Sequence, residues 1–149
     1  MAYNTEQIIN FALSGHSGAG KTSLAEAMLF NLGLINRQGR IEDGTTVSDC
    51  DPEEIARHIS LKISLLNGEW QSHHLNIIDT PGYADFIAEA KGALRIADSS
   101  VVVLDAVAGI EIGTERVWQF AQEYKLPRLL FVNKMDRSDV DLDQVLEMG

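Results

Sequence analysis

Eight residues, Gly15 to Thr22 (GHSGAGKT), restrict the folding of this chain more than any other stretch in it. The apolar run IINFALS (8–14) precedes them, and KTSLAEAMLFNL (21–32), with apolar residues at helical spacing, follows. A strand that becomes a helix through a glycine-rich turn leaves the N–H groups of that turn and of the first helical turn without intrahelical partners. In this setting G-x-x-x-x-G-K-S/T is a phosphate-binding loop, in which those N–H groups point inward at an anion. Gly15, His16, Ser17, Gly18, Ala19 and Gly20 form the cradle. Lys21 adds a point charge for the outer phosphates, and the Thr22 hydroxyl can ligate Mg²⁺. The motif leaves the base open, since ATP and GTP proteins share it.

Three more apolar, β-branched runs lie downstream: HLNIID (74–79), SVVVLD (100–105) and RLLFVN (128–133). Runs this short and this continuously apolar suit parallel strands buried on both faces. Helix-period segments at 85–97 and 110–124 lie between them. Residues 59–78 (ISLKISLL–NG–EWQSHHLNII) predict a hairpin turning at Asn67-Gly68, because Asn-Gly is the strongest short hairpin signal. The alternation predicts an α/β, three-layer P-loop NTPase fold, its sheet mostly parallel with one antiparallel edge strand. Residues 33–58 have no clean period, gain nothing obvious by ordering alone, and read as a long functional or mobile loop. Trp118, at helical spacing from Val117, Ala121 and Tyr124, reads as core or helix-packing surface, and the acidic run 139–147 as a solvated helix face. The chain reads as one domain, 1–149, C-terminally incomplete because strand 128–133 lacks a partner on its far side.

Two strand ends carry further chemistry. Asp79 to Gly82 (DTPG) ends one strand, where Asp79 can hold Mg²⁺ and the Gly82 N–H can reach a γ-phosphate with no Cβ in the way. Asn133 to Asp136 (NKMD) ends another. The Asp136 carboxylate can accept two N–H groups from guanine's Watson–Crick edge and rejects adenine, Asn133 can pair with the Hoogsteen edge, and the Lys134 stem can cover the ring. All three motifs sit at C-terminal strand ends, where open α/β sheets bind ligands. Together they point to GTP or GDP with Mg²⁺.

The net charge of −10 argues against a broad footprint for DNA or an anionic membrane, and no apolar stretch approaches 18 residues. The single cysteine, Cys50, excludes an internal disulfide and fits a reducing, cytoplasmic compartment.

On these motifs the chain resembles the translational GTPases, most closely the elongation factor G family and, within it, a divergent branch. The resemblance covers essentially the whole chain and is most specific in GIEIGTERVWQFAQEYKLPRLLFVNKMDR (109–137). It implies a GTPase whose partner is the ribosome, engaged through domains beyond residue 149. SDCDPEEIARHIS (48–60) aligns with the family's first switch, which ends in Arg-Gly-Ile-Thr. Ser60 then takes the place of the threonine whose hydroxyl binds Mg²⁺, and His58 that of the glycine. Gly18 stands where the family usually has Asp. Tyr83 replaces the histidine of Asp-Thr-Pro-Gly-His, which orients the attacking water. The expected catalytic residues are Lys21, Gly82 and Tyr83, with Tyr83 acting mainly as a gate and intrinsic hydrolysis slow. The competing reading is a slow or non-hydrolysing guanine-nucleotide switch that recruits partners in its GTP form.

Overall fold

The computed structural model describes residues 3–137 and 140. Five strands, β1 (Ile8–Ser14), β2 (Ser64–Trp70), β3 (His73–Asp79), β4 (Ser99–Asp105) and β5 (Arg128–Asn133), form one sheet in the order β2-β3-β1-β4-β5. Only the β2–β3 pair is antiparallel. The four helices are α1 (Lys21–Asn31), α2 (Pro52–Arg57), α3 (Ile87–Ile96) and α4 (Ile112–Glu123).

Successive strand residues face opposite sides, so each central strand feeds two cores. Leu13 and Ile77 join Ala25, Leu29 and Leu66 under α1. Their neighbours Ala12 and Ile78 join Ala90, Ala93, Leu94, Val102 and Val117 under α3 and α4. Except at β5, which was expected to be buried but lies at the sheet edge with residues 128–131 exposed, this explains the continuous apolar runs: both faces of β1, β3 and β4 are covered. It also sends the C-terminal ends of β1, β3, β4 and β5 to the same rim of the sheet.

The hairpin expectation needs correction at its turn. Asn67 and Gly68 lie inside β2, and the turn is Gln71-Ser72, both at positive φ (46° and 65°). A turn at Asn67-Gly68 would set Leu66 opposite Glu69; the observed register sets it opposite Ile77 and buries both. Gly68 serves packing instead, since a Cβ there would come within 2.8 Å of the Leu32 and Leu34 methyls.

Residues 33–58 are also more organised than their sequence suggests. Asp51 caps α2 through the Glu53 N–H (3.0 Å), with Pro52 in the first turn. The buried Glu26 carboxylate on α1 accepts the N–H groups of Gly39 (2.7 Å) and Val47 (2.6 Å). Buried Glu54 accepts those of Asp51, Leu61 and Lys62. The segment therefore does gain by ordering.

Trp118 is not core: its ring is partly exposed and carries the Arg128 guanidinium at 4.3 Å. Apart from Val140, the acidic run 139–147 lies outside the described residues.

Candidate functional site

At the rim where the parallel strands end, the chain encloses a cavity of about 560 Å³. Of the residues expected from sequence, Ser17, Gly18, Gly20, Lys21, Thr22, Ser60, Gly82, Tyr83, Asn133 and Lys134 line it. Gly15, His16, Ala19 and Asp79 are buried just behind that wall. Asp136 is apart from them, exposed in the turn after Lys134.

The phosphate-loop end is built by enforced proximity. Lys21 is only 6% exposed, and its ammonium donates to the carbonyls of His16 (2.8 Å) and Gly15 (3.2 Å). Gly82 lies against this ammonium, and a Cβ at Gly82 would also stand 2.7 Å from the His16 carbonyl. That second obstacle is backbone and cannot yield. Gly82 is therefore required by the fold of the loop as well as by any ligand. His16 itself turns away and pairs through Nδ1 with the Thr114 hydroxyl on α4 (3.1 Å).

An oxygen cluster lies beside the lysine. The Thr22 hydroxyl donates to Asp79 Oδ2 (2.8 Å), and the Ser60 hydroxyl lies 3.3 Å from it. Asp79 Oδ1 and Asp49 Oδ2 are buried and have no hydrogen-bond partner among the described residues. Two such carboxylate oxygens beside two hydroxyls form an all-oxygen donor set, the chemistry a hard divalent cation requires. The residues present fit Mg²⁺. Nothing in the sequence reading marked Asp49; its signal was its place in a long loop aligned with a switch.

Burial dominates the electrostatics here. It pushes the Asp79 carboxyl up to about 6, against the Thr22 hydrogen bond and the Lys21 charge, and lowers the Lys21 ammonium to about 8, against the attraction of Asp79 and Asp49. Burial likewise raises Asp49 and lowers His16. A site that disfavours its own charges is one that gains when compensating charges arrive.

The far end is joined to the phosphate loop by one side chain. The Asn133 amide nitrogen donates to the Ala19 carbonyl (2.9 Å), and a Cβ on Gly20 would collide with that amide. Gly20 sits at φ 98°, in the region that favours glycine. Lys134 is left-handed (φ 62°), and its ammonium pairs with Asp105, whose other oxygen accepts the Val107 N–H (2.9 Å). Tyr83 stands at the cavity mouth, 43% exposed, and faces a second hollow on its other side lined by Ile87, Ile110 and Ile112.

Known proteins resemble this chain over most of its length. Elongation factor G 2 of Streptomyces coelicolor is 44% identical over 134 residues, covering 90% of this chain and 20% of its own length. Elongation factor G of Dehalococcoides mccartyi is 42% identical over 146 residues, 98% of this chain and 21% of its own. A crystal structure from Thermus thermophilus matches with a TM-score of 0.91 at 40% identity, over 95% of this chain and 21% of that one. The chain thus spans about a fifth of the length of the relatives it matches. The family profile described as "Elongation factor Tu GTP binding domain" matches residues 6–148, and the chain belongs to that family.

Proposed function

We propose that this chain binds and hydrolyses GTP as the nucleotide domain of an elongation factor G-like translation factor, with the ribosome as its partner and the cytoplasm as its compartment. The observation that carries the reading is the Asn133–Ala19 hydrogen bond, which makes the base-recognition and phosphate motifs two ends of one cavity. The names of the relatives, elongation factors G, support the translational role.

In this reading the loop N–H groups and the α1 N-terminus hold the phosphates, and Lys21 moves from its carbonyl partners to the outer phosphates. Thr22, Ser60 and Asp79 hold Mg²⁺, with Asp49 at hand through its unpartnered oxygen. When bound, the cation neutralises charge on the phosphates. The Gly82 N–H reaches the γ-phosphate. Tyr83 screens the mouth of the site, and its phenol is a poor general base at neutral pH. Asn133, Lys134 and Asp136 select guanine.

Titration of the full-length protein with GTP, GDP and ATP in Mg²⁺ tests the reading. GTP and GDP should bind, and ATP at least about a hundredfold more weakly, since a mismatched base leaves buried polar groups unpaired. Equal affinity for ATP and GTP would overturn guanine selection. Turnover unmoved by ribosomes would favour the switch reading over the translation factor.

A further inference from the structure

We propose that His58 is a positioning residue that latches residues 41–42 over the nucleotide, so that it governs how long the nucleotide stays. The inference rests on the nucleotide reading of the cavity. Its own footing is local geometry at α2.

His58 ends α2 in the left-handed conformation (φ 54°, ψ 41°), where a side chain with a Cβ is disfavoured and glycine is the usual solution. Glycine would satisfy the backbone here, because the helix-ending bonds run from main-chain N–H groups: Ile59 N–H donates to the Glu54 carbonyl (3.2 Å). A strained histidine in place of glycine therefore needs a reason in its side chain. The ring supplies one: Nδ1 lies 3.0 Å from the Ile41 carbonyl. A carbonyl only accepts, so Nδ1 carries the proton and donates.

That bond joins two parts of the same cavity wall. Ile41, Glu42, His58, Ile59 and Ser60 all line it, together with Ser17, Gly18 and Lys134. Residues 41–45 form a tight turn, closed by Gly44 N–H to Ile41 (3.1 Å) and Thr45 N–H to Arg40 (3.1 Å). Gly44 packs on Ile55 of α2 so closely that a Cβ would stand 2.5 Å from its methyl. The turn is therefore packed against α2. The far side of α2 is tied by Glu54 to Leu61 and Lys62, immediately after the Mg²⁺-side Ser60. The His58 ring ties the end of α2 to this turn along the cavity wall. Besides this bond, the turn at 41–45 is held by the Gly44–Ile55 contact and, through Gly39 and Val47, by Glu26.

The test uses the full-length protein with His58→Gly and His58→Asn. Glycine relieves the left-handed strain and removes the latch. Asparagine tolerates the conformation and can donate its amide to the Ile41 carbonyl. A fluorescent GDP analogue should dissociate about fivefold faster from His58→Gly, the size of one net hydrogen bond, and near the wild-type rate from His58→Asn. In the nucleotide-free protein, amide exchange should rise at residues 40–46 of His58→Gly, while the unfolding midpoint stays level or increases. Unchanged dissociation and unchanged exchange at 40–46 would overturn the proposal. So would a lowered midpoint with exchange raised throughout, because the histidine would then be a general stabiliser. Failure of the wild-type protein to bind guanine nucleotide would overturn the nucleotide reading instead, and the exchange result would still decide whether the ring holds the turn.

Discussion

At the phosphate end of the cavity, Lys21, Thr22 and Asp79 are closed off from water, packed between β1, β3 and α1, and held by hydrogen bonds shorter than about 3.3 Å. At the base end, Asn133 and Lys134 finish β5, an edge strand of the described sheet, whose Leu129 is 61% exposed, and Asp136 is exposed. The phosphate end is thus fixed by the core on both faces of the sheet. The base end is fixed by one strand pairing and by two side-chain bonds, Asn133 to Ala19 and Lys134 to Asp105. Chemistry that needs preorganised charge sits where the fold is most constrained. Selection, which needs only a hydrogen-bond pattern, sits at the edge.

The sharpest break of that contrast is at Lys21. On the proposed reading, Lys21→Met removes a buried cation and its charge-assisted contacts to the phosphates, each worth about 1.5–3 kcal/mol. GTP affinity should fall by at least about a hundredfold by titration calorimetry, with the guanine preference of the residual binding unchanged. A change of preference would show that the two ends are not separable.

Asp136→Asn should do the reverse. It exchanges a double acceptor for a mixed donor and acceptor, which suits xanthine's 2-oxo group and opposes guanine's amine. GTP should weaken by about ten- to a hundredfold and xanthosine triphosphate should gain, as read by competition binding. Loss of both nucleotides together would mean that the turn at 135–136 is a folding element.

The electrostatic cost of the phosphate end should be visible in stability without nucleotide. Burial raises the Asp79 carboxyl from its ordinary 3.8 to about 6, so the folded state binds a proton that the unfolded state releases. The stability this gives is complete below about pH 4 and is lost as pH rises through about 6. Asp49, also raised by burial, acts in the same direction. Lys21, lowered to about 8, acts only above this window, while His16, lowered by burial, acts within it in the opposite direction, in the wild type and in Asp79→Asn alike. Urea unfolding of the nucleotide-free protein should lose about 2 kcal/mol between pH 4.5 and 7 that Asp79→Asn does not lose. Parallel curves for the two proteins would show that Asp79 is not penalised by its burial.

Tyr83 should give the smallest effect. As a gate it acts through its ring, so Tyr83→Phe should change single-turnover GTP hydrolysis by less than about tenfold, below the range for a lost acid–base group. A thousandfold loss with GTP affinity intact would make the hydroxyl the group that orients water.

Local pattern determined a great deal here. The phosphate loop and its flanking strand and helix, the four apolar runs that form strands and the motifs at their ends follow from residues adjacent in sequence, because a continuous apolar run and a glycine-rich turn each leave a local mark. The exposure of residues 128–131 does not, because it follows from the place of β5 at the sheet edge. The composition of residues 33–58, by contrast, hid a capped helix and the segment's anchoring by two buried glutamates, Glu54 within it and Glu26 on α1, the latter bonded to a partner 21 positions away. Asn67-Gly68 gave the correct motif at the wrong place, because cross-strand burial of Leu66 and Ile77 outweighs the local turn preference. Asp49, the Asn133–Ala19 tie and the His58–Ile41 bond were decided by tertiary structure alone, since each depends on which groups are left facing one another once the sheet has formed. Sequence determines what a segment can do with its neighbours along the chain; which buried oxygen is left without a partner, and which ring meets which carbonyl, depends on distances that exist only after packing.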